Sequence, residues 1–169
     1  IQPLTRRFLP ATSVSPAYSL LSQDHVKLRA IVDLIDPGLV LVQDGEPFAK
    51  ALAALDLSGV TVVHVARPCP GVPSLAFDAL AATTVTAAVP AALAALSPDS
   101  VGKLLFTSGS TGLPKAVINT QRMMCTNLAM ARQARPRGPD DAPPVILDWM
   151  PWNHTMGGNA LFNVLLADG

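Results

Sequence analysis

The chain has 169 residues, of which half are apolar and 14% are charged, and its 12 basic residues balance 12 acidic ones. This length corresponds to one domain or a large part of one. Because the formal net charge is zero, the composition predicts no general attraction to nucleic acid or anionic lipid. The longest uncharged stretch, residues 79–98, is rich in Ala, Thr and Val and is interrupted by Pro90, so we expect no membrane span.

The two cysteines, Cys69 and Cys125, are far apart and form no CxxC pair. They indicate neither a disulfide framework nor a metal site, so a reducing, cytoplasmic compartment is the default expectation. The chain begins at Ile1 and stops at Gly169, directly after a helical apolar pattern, which favours an internal fragment of a longer protein. We expect such a fragment to expose apolar faces and sheet edges and hence to self-associate.

The first part of the chain alternates between helix and strand patterns after an irregular, proline-containing segment, residues 1–16. The spacing of apolar residues predicts a helix over 24–35, a buried strand over 39–42, a helix over 46–55 and a buried strand over 60–65. Ser22 and Asp24 are suitable caps for the first of these helices. A strand, a helix and a strand in this order form a βαβ unit.

The second part continues the alternation. Residues 75–82 fit either a helix or a surface strand, and Pro90 is suited to open a helix over 91–96. The remaining elements that the sequence predicts are strands over 104–107, 116–118 and 145–149, a helix over 120–132 capped by Asn119 or Thr120, and a last helix around 161–166. This order indicates an α/β fold, a layered sheet with packed helices.

The loop at 107–115 has the composition of a phosphate-binding loop. Its glycines allow the backbone to approach a ligand closely, and its hydroxyls and N–H groups donate to phosphate oxygens. Lys115 adds a positive charge, but it follows Gly112 by three positions and precedes Ala116, so the Walker A spacing is absent. The alternative is an ordinary Gly/Ser-rich hairpin turn, which the specificity of the nine-residue string disfavours.

Three strings carry a resemblance to a known family: TSGSTGLPKAV at 107–117, VSPAYSL at 14–20 and DWMPWNHTMGGN at 148–159. The first resembles the phosphate loop of the acyl-adenylating (AMP-binding) superfamily, which includes acyl-CoA synthetases, luciferases and the adenylation domains of peptide synthetases. The other two are similar to the feruloyl-CoA synthase group of aryl-CoA ligases. The resemblance makes residues 14–169 part of an N-terminal adenylation domain and leaves residues 1–13 unassigned.

The resemblance implies a two-step reaction in which a carboxylate attacks the α-phosphate of MgATP, and the thiol of coenzyme A then displaces AMP from the acyl-adenylate. The acid would be a small aromatic or other carboxylic acid, with ferulate as the leading expectation. By position in the motif, the residues that would contact the ATP phosphates are Thr107, Ser108, Gly109, Ser110, Thr111, Gly112 and Lys115.

The resemblance also places a substrate pocket around the third string. It implies that His154 is the catalytic residue beside the acyl carboxylate, and that Trp152, Gly157 and Gly158 help to form the pocket. A structural histidine and a core tryptophan are the alternatives. Met156 stands where the resembled family has phenylalanine, so the acyl group stays open.

Other motifs of the resembled family do not occur in this sequence, namely its Tyr-Gly-x-Thr-Glu string, its Thr-Gly-Asp string and its C-terminal catalytic lysine. We therefore expect the 169-residue chain alone to complete neither half-reaction. The alternatives to a ligase are a non-catalytic nucleotide-binding module and a truncated gene product.

Overall fold

The computed structural model describes residues 11–108, 112–136, 138, 140–142 and 145–168. These residues form two units that are each held together by their own contacts. Within the described residues, the first unit contains 16–95 and 112–114, and the second contains 11–15, 96–108 and 115–168.

The first unit is built on a parallel sheet. Its elements in chain order are a π-helical segment Ala17–Leu21, α1 Val26–Ile35, β1 Leu39–Val42, α2 Gly45–Ala53, β2 Thr61–His64, β3 Leu75–Ala76, α3 Phe77–Ala81 and α4 Ala88–Ala94. The strands lie in the order β1-β2-β3, with Val40 opposite Val62 and Val63 opposite Leu75. The βαβ unit that the sequence predicts is therefore confirmed as β1-α2-β2.

The second unit contains a hairpin and two helical regions. Its elements are β4 Val101–Ser108, β5 Pro114–Thr120, α5 Gln121–Ala134, a π-helical segment Met156–Leu161 and α6 Phe162–Asp168. Strands β4 and β5 are neighbours in a two-stranded sheet. The connection between them is too short for the crossover that parallel strands require, so they form an antiparallel hairpin.

Side-chain bonds lie at the starts of the main helices, although the N-cap residue of α1 is His25, which makes no side-chain capping bond, rather than the predicted Ser22 or Asp24. Ser22 Oγ accepts from the N–H of His25 at 3.0 Å, and Asp24 Oδ1 accepts from the N–H of Val26 at 3.2 Å, directly before α1. At α5, Thr120 Oγ1 accepts from the N–H of Met123 at 3.3 Å, which confirms one of the two predicted caps. A cap of this kind stabilises a helix by about 1 kcal/mol, because it satisfies an otherwise unpaired N–H group.

The core of the first unit forms where α2 covers β1 and β2. The buried residues of this cluster are Val42, Leu52, Val62 and Cys69, with Phe48 packed against them. Such contacts remove apolar surface from water, which is the main favourable contribution to folding.

The core of the second unit is centred on β4, where Leu104 and Leu105 are both buried. Successive residues of a strand point to opposite faces, so β4 is covered on both sides. The strand that leads into the 107–115 loop is therefore firmly packed.

Two strand predictions need correction. Residues 145–149 form no strand, and Val145, Leu147 and Trp149 are 101%, 95% and 84% exposed. In the part of the chain that the structure describes, no other strand pairs with this segment. A single strand has no neighbour for its backbone hydrogen bonds and no layer to cover its apolar side chains, so it is not stable. Strand β1 forms as predicted but is buried only at Val42, because it lies at the edge of its sheet.

Smaller differences have local causes. The ambiguous residues 75–82 divide into the short strand β3 and the helix α3. Pro90 lies in the first turn of α4 rather than opening it, and a proline is tolerated there because the first-turn N–H groups have no helical partner. Among the described residues, no helix is both long and apolar enough to cross a membrane.

Acid should weaken the first unit through the ion pair between Asp44 and Arg67. Arg67 Nε donates to Asp44 Oδ1 at 3.0 Å, and this hydrogen bond holds the pKa of Asp44 below its ordinary value of 3.8. A depressed carboxyl pKa contributes stability that is present above the unfolded value and lost as the pH falls through the folded value. We therefore expect Asp44→Asn to flatten the loss of stability below pH 3.8, as measured by urea midpoints against pH.

Asparagine is the matched replacement because it caps a helix as well as aspartate does, and Asp44 Oδ1 also accepts from the N–H of Glu46 at the start of α2. Asp78→Asn provides the control, since Asp78 is an exposed residue of α3. Identical acid profiles for Asp44→Asn and the parent chain would contradict the prediction.

Candidate functional site

The glycine- and serine-rich loop lies where the sequence predicts, between the end of β4 and the start of β5. Thr107 is an exposed residue near the end of β4, and Ser108 is the last residue of that strand. Lys115 is the second residue of β5, with an exposed side chain. Three predicted phosphate contacts, Gly109, Ser110 and Thr111, lie outside the described residues.

Gly112 has a backbone conformation that favours glycine. Its φ is +85°, in the left-handed region, although an added Cβ would meet no heavy atom within 4 Å. The requirement for glycine is therefore conformational rather than steric. It turns the chain back towards β5, which begins two residues later.

His154 is held in a turn that precedes the second π-helical segment. Its N–H donates to the carbonyl of Pro151 at 3.0 Å, and its carbonyl accepts from the N–H of Gly158 at 2.7 Å. Its ring atom Nδ1 accepts from the N–H of Met156 at 3.3 Å. Since an accepting nitrogen carries no proton, the neutral ring is protonated at Nε2, and the Nε2–H is its available donor.

A cavity of about 510 Å³ lies within the second unit, beside His154. This volume is in the usual range for sites that bind small molecules. The wall combines apolar side chains (three methionines and one alanine) with polar ones (three asparagines, one histidine and one threonine). The lining residues are Asn119, Met123, Met124, Asn127, His154, Thr155, Met156, Asn159 and Ala160.

None of these nine lining residues is an aspartate, glutamate, lysine or arginine. The wall therefore offers hydrogen-bonding groups and apolar surface but no formal charge besides a protonated imidazole. An ammonium group that enters such a site finds no carboxylate among the nine lining residues, whereas a carboxylate can accept from the imidazole, amide and hydroxyl donors.

An amide pair connects the two sides of the cavity. Asn159 Nδ2 donates to Asn119 Oδ1 at 2.8 Å, and Asn119 Nδ2 donates to the carbonyl of Val117 at 3.0 Å. This chain of bonds joins the end of β5 to the second π-helical segment. Within the described residues, the buried Oδ1 of Asn159 has no hydrogen-bond donor.

The other predicted pocket residues lie next to the cavity wall rather than in it. Trp152 packs against Phe162 with ring centroids 4.7 Å apart, and it is not among the lining residues. Gly157 and Gly158 are buried. A Cβ added at Gly157 would lie 2.6 Å from the carbonyl oxygen of Pro151, and one added at Gly158 would lie 2.3 Å from that of Trp152. These glycines therefore allow the turn that carries His154 to approach the helix closely.

Sequence reasoning missed most of the cavity wall. The helix α5 contributes Met123, Met124 and Asn127, whose spacing of three and four residues places them on one helical face. That spacing is a signal in the sequence, but helix positions of this kind usually indicate core contacts. The contact between Asn119 and Asn159 gave no signal in the sequence, because these residues are 40 positions apart and meet only in the folded chain.

No metal site is evident within the described ranges, where no group of three or more His, Cys, Asp or Glu side chains is arranged to hold an ion.

Comparison with known proteins places the chain in a family. The model of the AMP-binding enzyme family matches residues 13–169. The chain is 27% identical over 118 residues to malformin synthetase mlfA of Aspergillus vadensis, covering 68% of this chain and 2% of that protein. It is 33% identical over 84 residues to phosphinothricin tripeptide synthetase PhsB of Streptomyces viridochromogenes, covering 50% and 6% respectively.

The structure of McyG A-PCP complexed with phenylalanyl-adenylate has the same fold, with a TM-score of 0.61 at 24% identity. That match covers 93% of this chain and 22% of the solved chain, so the present chain spans only a small part of the proteins it matches. The likeness confirms the predicted α/β fold class. The family match extends over nearly the whole sequence, and the chain therefore belongs to the AMP-binding enzyme family.

Proposed function

We propose that this chain forms the ATP-phosphate and acyl-carboxylate side of an adenylate-forming ligase. In the proposed reaction, a carboxylate oxygen attacks the α-phosphorus of ATP, the bond to the β-phosphate breaks, and pyrophosphate leaves with its electron pair. The observation that supports this proposal is that strand β5 connects the loop at 107–115 to the cavity. This strand presents Lys115 at its start, beside the loop, and Asn119 near its end, in the cavity wall.

The loop would act on the pyrophosphate part of ATP. Lys115 supplies a positive charge where negative charge grows on the leaving group, and Gly112 provides the tight turn that brings backbone N–H groups towards the phosphates. By their position in the motif, the proposed contacts are Thr107, Ser108, Gly109, Ser110, Thr111, Gly112 and Lys115.

Removal of the Lys115 charge should weaken nucleotide binding. A hydrogen bond from a charged donor contributes roughly 1.5 kcal/mol or more, so we expect Lys115→Ala to raise the dissociation constant for MgATP about tenfold. Isothermal titration calorimetry on the 169-residue chain measures this change. The control is Lys50→Ala, which removes an exposed lysine from α2. Equal affinities of these two variants would exclude Lys115 from the phosphate site.

His154 would orient the substrate acid. With Nδ1 accepting from the N–H of Met156, its Nε2–H can donate to one carboxylate oxygen and leave the other to attack phosphorus. In this role His154 contacts the substrate and is the proposed catalytic residue. Trp152, Gly157 and Gly158 would act indirectly, by packing the turn on which His154 lies.

The role of His154 can be tested with two replacements that differ in one property. His154→Gln keeps an N–H donor near the position of Nε2, whereas His154→Phe keeps a planar ring without a donor. We expect kcat/KM for the acid to fall roughly tenfold in the phenylalanine variant and less in the glutamine variant, with the KM for ATP changed little. Steady-state pyrophosphate release, measured in the polypeptide that carries this chain, gives both values. Equal losses in the two variants would indicate packing rather than hydrogen bonding.

The finer proposal is an acid–thiol ligase similar to feruloyl-CoA synthase, in which the thiol of coenzyme A attacks the acyl-adenylate and AMP leaves. The absence of carboxylates from the nine-residue cavity wall supports an acid without an ammonium group. Ferulate and related aryl acids meet this condition, and the thioethers Met123, Met124 and Met156 offer an adaptable apolar surface to an aromatic ring.

The second candidate is the activation of an amino acid. Two relatives are named as a tripeptide synthetase and as malformin synthetase, and the solved structure holds phenylalanyl-adenylate. An amino acid would need a counter-charge for its ammonium group, which the described wall does not supply.

ATP–pyrophosphate exchange with a matched pair of acids separates the two candidates. Phenylalanine and 3-phenylpropanoate differ only in the α-ammonium group, so their ratio of exchange rates reports the cost of burying that charge. We expect exchange with 3-phenylpropanoate and ferulate to exceed that with phenylalanine by at least about tenfold, in the polypeptide that carries this chain. Faster exchange with phenylalanine would establish the amino-acid reading, and nucleotide binding without any exchange would indicate a non-catalytic module.

A further inference from the structure

Lys103 is a half-buried lysine of β4 that no sequence motif singles out. Its ammonium group donates to the carbonyl oxygen of Gly158, in the second π-helical segment. It also lies 5.1 Å from the ring centroid of Phe162 and 3.5 Å from Oδ1 of Asn163. One side chain therefore joins the strand that precedes the phosphate loop to the helical region that follows the cavity.

The contact to Gly158 continues towards His154. The N–H of Gly158 donates to the carbonyl of His154 at 2.7 Å, and Gly158 is packed so closely that an added Cβ would lie 2.3 Å from the carbonyl oxygen of Trp152. Phe162, beneath the ammonium group of Lys103, packs in turn against Trp152. Lys103 thus contacts Gly158 and Phe162, the two residues that hold the turn from Trp152 to His154.

The charge of Lys103 is not explained by an ion pair. In the described part of the chain no carboxylate pairs with it, and burial lowers its pKa. An apolar side chain would fill the same space without the cost of removing an ammonium group from water. Two interactions with a defined direction offset this cost. The ammonium group donates a charged hydrogen bond to the carbonyl of Gly158, and it lies over the aromatic ring of Phe162.

We propose that Lys103 is a positioning residue that fixes the backbone turn of His154, and thereby the direction of the imidazole Nε2–H towards the substrate acid. The statement about the acid rests on the proposed function, whereas the statement about the imidazole does not. Loss of Lys103 would leave the phosphate loop intact and release the turn at its Gly158 end. The acid, rather than ATP, would then lose its alignment.

The direct test is the protonation pattern of the His154 ring, read from imidazole nitrogen chemical shifts by NMR in the 169-residue chain. The parent chain should show Nδ1 without a proton and Nε2 with one. Lys103→Met keeps the apolar stem but removes the donor, and we expect it to give mixed tautomers. Lys103→Arg restores a charged donor and should return the parent pattern. Lys50→Met is the surface control.

Kinetics in the polypeptide that carries this chain provide the second readout. For Lys103→Met we expect kcat/KM for the acid to fall by about ten- to a hundredfold, with the KM for ATP unchanged and with recovery in Lys103→Arg. If Lys103→Met does not fold, Lys103→Gln replaces it, since glutamine is too short to reach the same carbonyl.

Each outcome decides one statement. A parent-like imidazole pattern in the methionine or glutamine variant overturns the positioning role, even if the urea midpoint falls. A changed imidazole pattern together with unchanged kinetics for the acid supports the positioning of the imidazole and overturns the statement about the acid, because the turn would then not matter to the substrate. If the parent protein shows no exchange with any acid, the proposed function fails, and the imidazole pattern alone decides whether Lys103 fixes the turn.

Discussion

The pairing of β4 with β5 is the constraint on which the rest of the second unit depends. It fixes both ends of the loop at 107–115, places Lys115 at the exit of that loop, and brings Asn119 to the cavity wall. The burial of Leu104 and Leu105 anchors the strand that leads into this loop. Rigid strands that present a polar loop are a common way to position a ligand, because the support does not yield when the ligand binds.

Much of this architecture follows from local signals in the sequence. The apolar run at β1, the β-branched run at β2 and the cap at Thr120 each act over a few residues, and the elements they predict are present. The family assignment followed from the same short strings. Likeness to the feruloyl-CoA synthase group stays a prediction, as do the domain division at residue 14 and the contacts of the phosphate loop.

The features that the sequence did not predict depend on distant contacts. Residues 145–149 are apolar except for Asp148, which suits a strand, but an apolar run does not supply a partner, and no described strand pairs there. The π-helical segment Met156–Leu161 has no pattern that separates it from an α-helix, because both place apolar residues about one turn apart. The Asn119–Asn159 bond joins residues 40 positions apart and gave no local sign.

Under the proposed function, the absence of charged side chains from the nine lining residues has a consequence for the choice of substrate. A carboxylate in place of one amide would give an ammonium group the partner it lacks, and Asn127 already lies on the cavity face of α5. Asparagine and aspartate have nearly the same shape, and their codons differ by a single nucleotide. Under the proposed function, a single Asn127→Asp substitution would therefore change the preference from acids without an amino group to acids with one, and the backbone would not have to change.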